Sequence, residues 1–288
     1  MLKNIKKIFF NHNIKNKDVY LVDPIRDKEF LIESIYEESV LGIDTEFDWR
    51  NTYFPTLSLL QIATEKKILL IDCLKNKNLN FLKSILEDKN KLIIFHSSRS
   101  DATVLYTNLN IKLENIFDIQ IADQIISKGD VQKYATLVNN FFYIELKKTE
   151  TNSDWLKRPF TKEQLSYAAD DVNFLIEIYK RQIKILNKKN LLEKTFYLSN
   201  KESKLGHQDL YISRVKKLKK SSNMVKKIFL WRENYAKDLN IPTSYIFKNN
   251  DLKKLAQISE IEEFDKEKVF GVFKKRLFAK DFIEFLKN

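Results

Sequence analysis

The sequence predicts an α/β domain followed by a small all-helical one. Up to about residue 150, short apolar runs alternate with stretches of helical periodicity, the pattern of a sheet flanked by helices. From Thr161 onward only long helical patterns remain. With four Gly and four Pro among 288 residues, a loop-rich all-β sandwich is disfavoured.

Taken in order, Asp18–Val22 reads as a strand, Pro24 opens a helix running to about Glu38, and Val40–Phe47 is an apolar strand ending in carboxylates. Leu57–Ala63 and Ile68–Ile71 are strands joined by the polar Glu65–Lys67 turn, a hairpin. Asn78–Glu87 reads as helix, Leu92–Phe95 as a buried strand and Asp101–Asn108 as helix; Asp118 precedes a helix to Ser127. Thr161 and Gln164 have the spacing of a capping box ahead of Leu165, Ala168, Val172, Leu175, Ile176 and Tyr179. Lys201–Ser222 is polar and basic, contains Gly206 and reads as a linker, and Val225–Leu286 is helical with Pro242 inside it. The expected division is residues 1–200, a basic linker at 201–221, and a helical domain at 222–288.

An apolar fraction of 43%, with 12% aromatic residues, excludes the composition of disordered chains. Cys73 is the sole cysteine, so an intrachain disulfide and a cysteine-built zinc site are excluded and a reducing cytoplasm is expected. Apolar runs such as Leu92–Phe95 fall far short of the roughly 18 residues that span a bilayer, and Met1–Phe10 lacks the apolar core of a signal peptide. The expectation is a protein with no membrane association and no obligate protein partner. Formal charge is +12, and residues 201–288 hold 21 Lys/Arg against 12 Asp/Glu. That asymmetry points to a polyanionic partner; a Lys-rich, Asn-rich and Ile-rich coding bias gives the same excess.

Three carboxylate-bearing pieces carry chemistry. In Leu41-Gly42-Ile43-Asp44-Thr45-Glu46-Phe47, strand alternation puts Asp44 and Glu46 on one face about 7 Å apart, at the carboxyl end of a strand. Two such anions suit a hard divalent cation such as Mg²⁺, although a solvated acid pair at a strand end has the same sequence. In Phe95-His96-Ser97-Ser98-Arg99-Ser100-Asp101, Asp101 falls in the first turn of a helix, where acids also serve the helix dipole, and His96 reads as a hydrogen-bonded core residue. In Leu165-Ser166-Tyr167-Ala168-Ala169-Asp170-Asp171-Val172, Tyr167 and Asp171 are four apart and share a helical face.

Together these pieces resemble the three motifs of the DEDD superfamily of exonucleases, in the subgroup with tyrosine in the third motif, and most closely the ribonuclease D family. The resemblance also includes Tyr53-Phe54-Pro55-x-Leu57-x-Leu59-Leu60-Gln61, Phe117-Asp118-Ile119-Gln120 and Ser153-Asp154-Trp155-Leu156-Lys157-Arg158-Pro159-Phe160, and spans about Val19 to Tyr179. It implies a ribonuclease H-like mixed sheet flanked by helices, with Asp44, Glu46, Asp101 and Asp171 as metal-site carboxylates. Tyr167 is implied to orient the attacking water, and two divalent cations, Mg²⁺ or Mn²⁺, to clamp the attacking and leaving oxygens of a phosphodiester. The implied substrate is RNA with a free 3′ end, tRNA precursors among them; DNA trimming and a non-catalytic RNA-binding module are the alternatives. Phe47, Tyr53, Phe54 and Trp155 are candidates to stack on bases, with core packing as the other role of such rings. Trp231-Arg232-x-x-x-Ala236, Ile241-Pro242-x-x-x-Ile246 and Leu252-x-x-Leu255-Ala256 resemble the helical HRDC domain of helicases and ribonuclease D. This places Lys216, Lys217, Lys219, Lys220, Lys226, Lys227 and Arg232 near phosphates.

Overall fold

The computed structural model describes residues 6–8, 17–74, 79–147, 150–261 and 265–287, without the side chains of Ser213 and Lys217. The chain forms two units: residues 1–48 with 55–207, and residues 208–288 with the connecting segment Trp49–Phe54.

Among the described residues the first unit is built on a seven-stranded mixed sheet. Its strands are β1 (Lys6–Ile8), β2 (Asp18–Val22), β3 (Val40–Asp48), β4 (Thr56–Ala63), β5 (Lys67–Asp72), β6 (Leu92–Phe95) and β7 (Ile116–Asp118), in the spatial order β1-β2-β5-β4-β3-β6-β7. The central β3–β4 and β4–β5 pairs are antiparallel, whereas β3–β6, β6–β7 and β2–β5 are parallel. Helices cover both faces, so β4, β5 and β6 are buried almost throughout and read as continuous apolar runs. One core joins Leu41, Ile43, Leu60 and Ile62 to α1 (Lys28–Ile35), α2 (Asn80–Leu86) and α3 (Arg99–Leu109). The other joins Leu59, Ala63, Leu70 and Ile94 to α4 (Ile119–Ser127), α5 (Tyr134–Phe142), α6 (Lys162–Asn173) and α7 (Leu175–Lys188).

α8 (Leu192–Gly206) covers the outer edge of β7. The Asn200 side chain accepts from Ile116 N–H at 3.2 Å and donates to its carbonyl at 3.4 Å, and Asp118 N–H donates to Ser199 Oγ at 3.0 Å. These contacts satisfy an edge that would otherwise present unpaired backbone groups. α8 approaches α3 closely enough that a Cβ on Gly206 would meet the Arg99 carbonyl at 2.6 Å. The stretch expected as a linker at 201–221 is therefore mostly structured: α8 runs to Gly206, followed by α9 (Leu210–Val215) and a 3-10 turn at Lys216–Leu218. Ser203 and Gly206 are polar or small in sequence yet buried, because close helix packing selects small residues rather than apolar ones. The first helix is shorter than expected, and Asn78 lies outside the described residues.

The second unit is helical: α10 (Asn223–Asp238), α11 (Leu252–Ser259), α12 (Lys266–Phe270) and α13 (Arg276–Lys287), with α9 packed on it. Ser222 caps α10, its Oγ accepting from Val225 N–H. Ile228, Phe229, Ala236, Phe247, Leu255 and Phe282 form its core. Arg232 is 1% exposed inside it, donating to the Phe247 carbonyl at 3.1 Å and Asn249 Oδ1 at 2.6 Å. Burial pushes its guanidinium down to about 10. The expectation that Arg232 contacts phosphate is corrected: its donors hold the domain together.

Candidate active site

Strand alternation in β3 sends Asp44 and Glu46 to the face they share with their cross-strand neighbours Gln61 and Leu59. Leu59 packs in the same core as Ala168 and Val172 of α6, so the two carboxylates face that helix. Thr45, between them, points to the opposite face, where α3 lies, and donates to Asp101 Oδ1 at 2.6 Å. The turn carrying Asp101 is held by Asp118, whose carboxylate accepts from Ser97 N–H at 3.0 Å and Ser98 N–H at 2.7 Å. Ser97 has a φ of 69°, a left-handed conformation that this clamp stabilises.

α6 is started by the capping box expected from sequence: Gln164 N–H donates to Thr161 Oγ1 at 3.1 Å and Thr161 N–H to Gln164 Oε1 at 3.0 Å. The Gln164 amide also donates to Ser153 Oγ at 2.8 Å. The Ser153–Phe160 segment is further anchored by Arg158, which is bidentate to Asp72 at 2.8 and 2.7 Å and donates to the Trp155 carbonyl at 2.7 Å. At the far end of α6, Tyr134 Oη donates to the Asp170 carbonyl at 3.0 Å and accepts from Phe174 N–H at 3.1 Å.

These elements bring carboxylate oxygens of Asp44, Glu46 and Asp171 within 4.8 Å of one another. Asp101 stands outside that trio, but its charge raises both Asp44 and Glu46. Burial comes first and mutual repulsion second in pushing Asp44 well above the usual carboxylate range; Glu46 follows, through burial and the charges of Asp171 and Asp101. Burial carries Asp101 up to about 7, with the Thr45 hydroxyl opposing the rise. Tyr167 is pushed above its ordinary value by burial and then by the charge of Asp171, so it stays protonated. Asp44, Asp171 and Tyr167 line a cavity of ≈ 320 Å³ together with His96, Gln120 and Lys133. An oxygen-only donor set whose members repel one another fits a hard divalent cation, whose charge removes that repulsion.

The expected base-stacking residues divide. Trp155 is 3% exposed, packed against Phe160 and Tyr167, and Tyr53 is 3% exposed in the core of the helical unit. Tyr53 Oη donates to Glu233 at 3.0 Å. Stacking by these two is corrected, since their rings already pack in the interior. Phe47 is half-buried against the α1–α3 core, and Phe54 half-buried against the helical core. Lys216, Lys219, Lys220 and Lys227 are exposed and Lys226 half-exposed, whereas the side chain of Lys217 lies outside the described residues. His96 is half-buried, its Nε2 lying 3.0 Å from the Gln132 carbonyl. The sequence assigned no role to Thr45, Asp118 or Tyr134. Thr45 and Asp118 sat inside quoted motifs, but their partners lie 56 and about 20 residues away.

A family model described as 3′-5′ exonuclease matches residues 21–187. A ribonuclease D of Desulfotalea psychrophila is 31% identical over 252 residues, covering 84% of this chain and 67% of that one. The chain belongs to the ribonuclease D family of 3′-5′ exonucleases. Another member, from Bartonella henselae, is 28% identical over 271 residues, 91% of this chain and 67% of its own length. The chain thus spans about two thirds of the length of these ribonuclease D relatives. Among solved structures, Escherichia coli RNase D superposes with a TM-score of 0.83 at 20% identity, over 93% of this chain and 74% of that one. The catalytic core of RRP6 from Trypanosoma brucei gives 0.72 at 23% identity, over 100% and 83%. Both likenesses show the fold, the mixed sheet flanked by helices that the motifs led us to expect for a ribonuclease D.

Proposed function

We propose that this chain removes nucleotides one at a time from the 3′ end of RNA, tRNA precursors among its substrates, releasing nucleoside 5′-monophosphates. The observation that carries the reading is the trio of repelling carboxylates Asp44, Glu46 and Asp171, of which Asp44 and Asp171 line one cavity with Tyr167. The ribonuclease D relatives support RNA as the substrate, and the Escherichia coli protein is described as an exoribonuclease involved in structured RNA processing.

Asp44, Glu46 and Asp171 would hold divalent cation, with Asp101 completing a second position; we take two Mg²⁺, replaceable by Mn²⁺, as the complement. When bound, the cations supply a nucleophile near neutral pH and stabilise the leaving 3′ oxygen. Tyr167, protonated at working pH, donates or accepts a hydrogen bond that orients the attacking water rather than taking its proton. The Thr45 hydroxyl holds Asp101 in place by donating to its Oδ1. The HRDC-like helical unit presents Lys216, Lys219 and Lys220 to the RNA backbone, each phosphate contact steepening the salt dependence of affinity. The single, buried Cys73 suits a reducing cytoplasm.

The test is incubation of a 3′-labelled tRNA precursor and its DNA equivalent with and without Mg²⁺, beside Glu46→Ala. Labelled mononucleotide released from RNA, only with Mg²⁺ and only by the unaltered chain, is expected. Preference for DNA overturns the substrate, and activity in Glu46→Ala overturns the site.

A further inference from the structure

The third-motif carboxylate sits one turn before an interruption in its helix. α6 ends at Asn173 and α7 begins at Leu175, with Phe174 between them at φ −103° and ψ −2°. In an uninterrupted helix the Phe174 N–H would donate to the Asp170 carbonyl, four residues back. Here both groups are bridged by one atom, the hydroxyl of Tyr134, which donates to that carbonyl at 3.0 Å and accepts from that N–H at 3.1 Å. A side chain inserted into the helical ladder in this way is a recognised cause of sharp bends.

We propose that Tyr134 is a positioning residue for the active site: its hydroxyl wedges the α6–α7 ladder apart and so sets the direction in which Asp171 reaches Asp44 and Glu46. The ring that delivers the hydroxyl is itself held. Tyr134 is 8% exposed and packs edge-on against His96 at 5.7 Å between centroids. It also lines the same cavity as Asp44 and Asp171. Asp171 lies in the backbone interval that the hydroxyl bridges, between residues 170 and 174, so a change in the ladder there moves its Cα directly. The small Ala168 and Ala169, both fully buried, let the preceding turn pack closely on the sheet. This leaves the wedge as the element that chooses the helix direction beyond it.

The inference rests on the two-cation nuclease reading, and its tests are separable from that reading. In Tyr134→Phe the ring stays and only the wedge is removed, so the ladder is free to close. Expected are a kcat lower by roughly tenfold, a sub-ångström misplacement costing less than the roughly hundredfold of a 1 Å one, a KM within twofold, and Mn²⁺ bound several-fold more weakly by calorimetry. A kcat and Mn²⁺ affinity both within twofold of the unaltered chain would overturn the proposal, whatever the melting temperature does. Amide exchange in the unaltered chain reads the wedge without any variant: Phe174 N–H should be protected as strongly as the amides of α7, and fast exchange there overturns it. An unaltered chain lacking metal-dependent hydrolysis would instead sink the nuclease reading, since the exchange measurement is independent of activity.

Discussion

Thr45 Oγ1 donates to Asp101 Oδ1 at 2.6 Å, and both side chains are buried. The threonine that separates the two first-motif carboxylates thus points to the opposite face of the sheet, where it holds the acid of the second motif and ties strand β3 to helix α3.

Removing that donor has a sharp consequence. A hydrogen bond to a charged group contributes about 1.5–3 kcal/mol, so Thr45→Val should lower kcat and Mn²⁺ affinity by roughly tenfold or more. Thr45→Ser should restore both to within a few fold. Steady-state kinetics and calorimetry on the pair check this, and a serine variant as impaired as the valine would show that the methyl group, not the hydroxyl, matters.

The raised carboxylates imply that function is held at a cost to stability. Asp44→Asn removes one charge from a half-buried, repelling trio, so the cation-free protein should melt higher, by about 2–4 °C for each kcal/mol relieved. It should lose metal-dependent hydrolysis, and Mg²⁺ should no longer raise its melting temperature. Differential scanning calorimetry with and without Mg²⁺ reads both.

The same groups give a pH dependence of definite sign. Folded-state values raised above the unfolded ones, to about 7 for Asp101, mean that the folded chain binds more protons. Their stabilising contribution is complete below the unfolded value near 4 and disappears as pH rises through about 7. Cation binding must displace those protons, so the increase in melting temperature caused by Mg²⁺ should be larger at pH 8 than at pH 5.5. An increase that shrinks with rising pH would contradict the burial and repulsion deduced for Asp44, Glu46 and Asp101.

Tyr167→Phe removes a hydroxyl that stays protonated, and leaves the carboxylates in place. A kcat reduced on the order of 10–100-fold with Mn²⁺ affinity unchanged is expected. Loss of metal binding in this variant would move Tyr167 from orienting water to building the cation site.

Tyr53 belongs to the helical core, where its hydroxyl donates to Glu233, which also accepts from Arg214 at 2.9 Å. Tyr53→Phe should therefore destabilise by about 1–2 kcal/mol while KM for a single-stranded RNA stays within twofold. A KM that rises with stability intact would restore the stacking role that its burial argues against.

The strands were legible wherever burial on both faces leaves an unbroken apolar run. Leu92–Phe95 coincides with β6, buried at every position; Asp18–Val22 coincides with β2, which is only partly buried and was read from its short β-branched and aromatic run. The capping box of α6 was legible because Thr161 and Gln164 act within one turn of each other. β1 and β7, three residues each, left no readable pattern, since strands that short exist through their partners. The basic stretch after residue 200 misled because polarity was taken for exposure, while Ser203 and Gly206 face the interior. Tyr53 and Trp155 were open to two roles, and aromatic rings beside a motif look the same in sequence whether they await a base or fill a core.

By itself the sequence determined where the candidate groups lie in their elements: Asp44 and Glu46 on one strand face, Asp101 at a helix start, Tyr167 and Asp171 on one helix face. These follow from periodicities that act over a few residues. Only the tertiary structure decided that Thr45 holds Asp101, that Asp118 clamps the turn before α3, and that Tyr134 enters the ladder behind Asp171. Those partners are separated by 56, 20 and 36 residues, and which side chains meet over such spans is fixed by how helices and sheet pack, not by any local preference of the chain.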